Sequence, residues 1–103
     1  MKIDEAQRIA VAVSDIYAEN CGIERDELWH LVKLQEELGE LSAAWLSASG
    51  RGRDRGMDAP ELNRAVADEL ADLFAQLLLF AHREGIDLGA ALTRKWGRYL
   101  PEG

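Results

Sequence analysis

The chain has 103 residues and a mass of 11.5 kDa, with 48% hydrophobic and 30% charged residues, which is the composition of one folded domain and excludes a disordered segment. Its 19 acidic and 12 basic residues leave a net charge of -7, which argues against non-specific binding to nucleic acid or to anionic membranes. The single cysteine, Cys21, excludes an intrachain disulfide, no apolar run approaches the ~20 residues of a membrane span, and the acid-bearing start lacks a cleavage signal, so a cytoplasmic protein is expected.

Taken in chain order, the sequence predicts four helices and no strand. The first starts near Asp4, a good N-cap residue, and carries Ile9, Val13, Ile16 and Tyr17 at helical spacing. It closes at Asn20-Cys21-Gly22, where Asn and Gly tolerate the left-handed conformation. The second runs from about Asp26 to Ala48, with an apolar stripe of Leu31, Leu34, Leu38, Leu41 and Trp45. Gly39 interrupts it, which signals either a close approach by another group or simple tolerance. Residues 49–58 form a loop rich in glycine and arginine. The third helix begins near Asp58 or Ala59, with Pro60 in its first turn, and ends at Gly85. Its stripe is Leu62, Val66, Leu70, Leu73, Leu77 and Phe80. Asp87 caps a fourth helix with Leu88, Leu92 and Trp96, which ends before Pro101. The expected architecture is one all-α domain over residues 1–103, a bundle with two long central helices.

The chemistry lies in carboxylates beside the apolar stripes. Glu36, Glu37 and Glu40 stand on the second helix, and Glu69 and Asp72 on the third. Residues three or four apart share a helix face, so Glu37 pairs with Glu40 and Glu69 with Asp72. At about 100° per residue, Glu69 falls at the edge of the stripe, where an unpaired carboxylate is costly. Two such pairs on adjoining helices repel each other unless a cation lies between them. A hard divalent ion with oxygen ligands answers that need, and Mg²⁺ is the first choice, with Mn²⁺ also acceptable. A solvated acidic face is the plain alternative.

The runs Lys33-Leu34-Gln35-Glu36-Glu37-Leu38-Gly39-Glu40-Leu41 and Asp68-Glu69-Leu70-Ala71-Asp72-Leu73-Phe74 resemble the two acidic motifs of the MazG-like, all-α nucleoside triphosphate pyrophosphohydrolases. The tail Lys95-Trp96-Gly97-Arg98-Tyr99 is similar to their closing segment, and the resemblance spans about residues 28–100. It implies that Glu37, Glu40, Glu69 and Asp72 hold Mg²⁺ and that Lys33, Lys95 and Arg98 contact the phosphates. Glu36, adjacent to the metal, is the candidate general base for the attacking water. The implied reaction is hydrolysis of a (deoxy)nucleoside triphosphate at the α-phosphorus, yielding monophosphate and pyrophosphate. The resemblance further implies assembly as a homodimer or homotetramer, in keeping with apolar stripes too wide for so small a unit.

Two other readings stand beside it: a phosphoribosyl-ATP pyrophosphohydrolase, and a non-enzymatic helical interaction protein. Lys33 also suits a helical ion pair with Glu36 or Glu37. The resemblance implies a basic residue in the loop of residues 49–58 that reaches phosphate, a part open to Arg51, Arg53 or Arg55, but a solvated loop accounts for them at least as well and they are left outside the site. Trp29, Trp45 and Trp96 can stack on a base but also fit core or subunit-interface positions, of which the core is preferred. Glu27 and His30 make one Glu-x-x-His without the second copy that a di-iron bundle requires, His82 suits a helix C-terminus, and Cys21 has no activating neighbour.

Overall fold

In the computed structural model, which describes residues 1–102, the chain is all-α: helices α1 (Ile3–Cys21), α2 (Trp29–Ala48), α3 (Ala59–Arg83) and α4 (Leu88–Trp96), followed by a 3-10 turn at Gly97–Tyr99. No strand occurs among the described residues.

Local chemistry accounts for most of the boundaries. Gly22 closes α1 in the left-handed conformation, at φ 62°. At the start of α3, the Asp58 side chain accepts from the Glu61 N–H while the Glu61 carboxylate accepts from the Asp58 N–H, with Pro60 in the first turn. Asp87 caps α4 by accepting from the Ala90 N–H. Two predicted starts move. Helix α1 begins at Ile3, so Asp4 lies in its first turn and pairs with Arg8 instead of capping. Helix α2 begins at Trp29, because Asp26 spends its carboxylate on the Leu28 N–H and its carbonyl on the Trp29 N–H, which makes a turn.

Helices α2 and α3 pack against each other as an antiparallel hairpin. His30 meets Gln76, Glu37 meets Asp72 and Glu69, and Ser47 shares a cavity with Leu62, so rising numbers on one helix meet falling numbers on the other. Helix α1 packs on α3, where the Gln7 side-chain amide donates to the Leu78 carbonyl at 3.0 Å. The small core consists of Ala10, Ala18, Leu78, Leu79 and Ala81, with buried His30. Leu78 and Leu79 thus belong to the core, while Leu70 and Leu77 of the predicted stripe are exposed.

The other stripes are open as well. Ile9, Val13, Ile16 and Tyr17 are all exposed, because α1 turns its alanines and not its large residues toward α3. Leu31 and Leu38 of α2 are exposed, as are Leu92 and Trp96 of α4. Helix α4 makes its main packing contact with the 3-10 turn that follows it. Beyond its own helix backbone, nothing among the described residues comes within 4 Å of a Cβ built at Gly39, so no close approach within the protomer calls for a glycine there. The close approach is at Gly52, where a Cβ would meet the Ser47 nitrogen at 3.1 Å, because the arginine-rich loop folds back on the end of α2.

Candidate metal centre

Glu37 projects from the middle of α2, and Glu69 and Asp72 from the middle of α3. The antiparallel hairpin brings one carboxylate oxygen of each within 4.8 Å of the others. Glu37 and Glu69 are half-buried and Asp72 is exposed. Partial burial is the first cause that lifts the Glu37 and Glu69 carboxyls above the usual carboxylate range, and the Asp72 charge is the second for both. Glu69 repels Glu37 in turn, and Lys33 offsets part of that effect.

Glu40, one turn on from Glu37, lies beside this triad. Its charge acts on Glu69, and the two line one cavity. Glu36 stands on the flank of the same helix, half-exposed, and its charge also acts on Glu37. Lys33 forms an ion pair with Glu36 at 3.1 Å, while its ammonium lies 5.6 Å from the centre of the Trp29 ring. The basic residue nearest the acidic motif is therefore held by a local partner, as the helical spacing allows.

Lys95 and Arg98 are placed differently. Arg98 donates to the Tyr99 hydroxyl at 2.8 Å and lies over its ring. No ion pair joins Lys95 or Arg98 to the acidic residues among the described residues.

Several residues take places that the motifs did not assign. Arg55 lines a cavity of about 190 Å³ together with Glu40 and Glu69. It adopts φ 54°, a left-handed conformation unusual for a residue with a Cβ. The doublets of glycine and arginine around it masked any positional signal. His30 is 5% exposed, and its Nδ1 lies 3.0 Å from the Gln76 Oε1. Gln76 was detectable as the one amide within the apolar run Leu73 to Phe80, four residues from Asp72 and so on the same face. Trp45 and Trp96 are 59% and 66% exposed, and only Trp29 is partly covered, so two of the three tryptophans are not core in the protomer.

Three carboxylates from two rigid helices make an oxygen-only donor set that suits a hard divalent cation. No known protein family matches the chain, and neither do the curated proteins or the solved structures.

Proposed function

We propose that the protein is a Mg²⁺-dependent nucleoside triphosphate pyrophosphohydrolase of the MazG-like kind, acting on nucleotides in the cytoplasm. The observation that carries this reading is the convergence of Glu37, Glu69 and Asp72 within 4.8 Å, at a cost in mutual repulsion. A folded protein tolerates such an arrangement where a cation offsets it. Glu37, Glu69 and Asp72, with Glu40 beside them, would hold Mg²⁺, with Mn²⁺ as a substitute. Bound there, the metal supplies positive charge against the phosphate oxygens. The resemblance of the two acidic motifs and the closing segment to that family supports the choice of reaction.

The chain's own residues divide the remaining work. Glu36 takes a proton from a water molecule, whose oxygen forms the new bond to the α-phosphorus. The bond from that phosphorus to the bridging oxygen breaks, so pyrophosphate leaves and the nucleoside monophosphate remains. Glu36 suits this role because it is outside the triad and keeps a free oxygen. Lys33 exchanges its bond with Glu36 for a phosphate oxygen. Arg55, lining the cavity with Glu40 and Glu69, joins Lys33 as a phosphate contact.

Assembly belongs to the same proposal. The protomer exposes 8052 Å², whereas a compact monomer of its mass exposes about 5,800 Å². Its radius of gyration is 16.5 Å, against about 13 Å for a compact chain of this length. A second copy covers the open apolar faces of α1 and α4. Lys95 lies on α4 and Arg98 in the 3-10 turn that follows it, a segment the protomer holds weakly, so their contact with phosphate depends on that assembly.

The test is product analysis with Mg²⁺ and a panel of (deoxy)nucleoside triphosphates. Monophosphate and pyrophosphate are expected, with loss of at least about a hundredfold in Glu40→Gln and Asp72→Asn. Release of single phosphates, or activity unchanged in both variants, refutes the assignment. Intact triphosphates with turnover of phosphoribosyl-ATP would redirect the substrate within the same chemistry.

A further inference from the structure

A cavity of about 220 Å³ opens between α1, α2 and α3, directly beside the acidic triad. Asp72 belongs to both: it is one of the three converging carboxylates and one wall of the cavity. The other walls that matter are Ser14, Tyr17, Trp29, Lys33 and Gln76. Two features make this more than a gap in the packing. Aromatic side chains from different helices, Tyr17 of α1 and Trp29 of α2, line one small space. The remaining polar groups are mainly donors. Lys33 carries only N–H. The Ser14 oxygen accepts from Arg25 at 2.8 Å, and its O–H has no partner among the described residues and is free to donate.

Gln76 shows the same polarity, and buried His30 is the reason. His30 sits behind the cavity wall with Nδ1 facing the Gln76 oxygen at 3.0 Å; with the amide assigned that way round, the Nδ1–H tautomer donates to Oε1. The Gln76 amide is thereby turned, and its NH₂ has no partner among the described residues. A volume below the ~300–1,000 Å³ of drug-sized sites suits a flat fragment and not a whole nucleotide.

We propose that this cavity takes the base of the nucleotide, between Tyr17 and Trp29, and that Gln76 selects bases carrying a carbonyl at pyrimidine C4 or purine C6 over bases carrying an amino group at that position. The proposal rests on the nucleotide reading above and names the substrate class within it. A carbonyl oxygen accepts from the Gln76 NH₂, whereas an amino group there sets two donors against each other and loses the bond. Thymine, uracil, guanine and hypoxanthine fall in the favoured class, and cytosine and adenine in the disfavoured one. Lys33, between the Trp29 ring and Glu36, stands where the base side of the site meets the acidic side.

Two readouts on the full chain test this. The first is binding without metal or phosphate: deoxyuridine against deoxycytidine, and deoxyguanosine against deoxyadenosine, so that ring size is held constant within each pair. It is followed by the NMR signals of the Trp29 indole N–H and the Gln76 amide, assigned with Trp29→Phe and Gln76→Glu. The keto member of each pair is expected to shift both signals at a concentration at least about tenfold lower. The second is kcat/KM for the corresponding triphosphates, with the same direction and size of preference. In Gln76→Glu, the carboxylate still accepts from His30 but offers an acceptor to the base, so the preference should reverse. Equal response to both members of each pair in both readouts overturns the proposal, as does a Gln76→Glu protein that folds and keeps the wild-type preference. Selective shifts without hydrolysis of any triphosphate uphold the cavity and refute the pyrophosphohydrolase reading. Hydrolysis without selectivity in either readout does the reverse.

Discussion

At the residue scale, Glu37 and Glu69 set stability against function. Their carboxyls bind protons more tightly in the folded protein than in the unfolded chain, since burial and the neighbouring acids penalise the charged form. With folded values raised above 4.5, these two groups favour the folded state least at neutral pH, and their penalty grows as pH rises through the window above 4.5. Glu37→Gln and Glu69→Gln are therefore expected to raise the metal-free Tm at pH 7 by a few degrees, with the gain vanishing toward pH 4. Thermal denaturation across that range checks this, and a gain that persists at low pH would contradict the sign. Millimolar Mg²⁺ should raise the Tm of the wild-type protein and leave the two variants unmoved. Arg55→Ala is expected to raise KM for the triphosphate about tenfold with little change in folding, measured by initial rates and circular dichroism.

At the element scale, the hairpin of α2 and α3 is the part on which the site depends. Leu78 is 1% exposed and lies where α1 crosses α3. Leu78→Ala should cost about 2–5 kcal/mol by leaving a cavity in a core with few other large side chains. Asp58→Ala removes the cap of α3 and should cost about 1 kcal/mol. Denaturant titrations separate the two, since the cap loss should be several times smaller. The acidic pairs were legible in the sequence because Glu37 with Glu40, and Glu69 with Asp72, stand three apart on their helices beside apolar residues. The roles of Leu70 and Leu78 were not. A stripe of six apolar residues shows that a helix has a buried side, but not which neighbour covers it or how much of it. The pairing of Gln76 with His30 was hidden for a related reason: they lie 46 positions apart, and only the antiparallel register joins them.

At the scale of the whole molecule, the surface excess of about 2,200 Å² per protomer exceeds what a standard interface of about 800 Å² per partner removes. The expected state is therefore an obligate assembly, with a mass in light scattering at least twice 11.5 kDa. Ile16→Asp, on the open face of α1, should disrupt it and lower the Tm together. A monodisperse monomer for the wild-type protein would contradict this. No described helix is long and apolar enough to cross a membrane.

The sequence by itself determined the helices and most of their ends, because caps, prolines and glycines act within a few residues of the chain. It also determined which carboxylates could meet, because a helix repeats its faces at a constant angle. Only the tertiary structure decided which ones do meet. It brought Glu37, Glu69 and Asp72 together with Glu40 beside them, left Lys95 and Arg98 on a separate arm, and drew Arg55 out of a loop that local spacing could not describe. Those outcomes depend on how two helices are set against each other in register and rotation. That setting follows from packing over the whole hairpin, which no single segment of the chain contains.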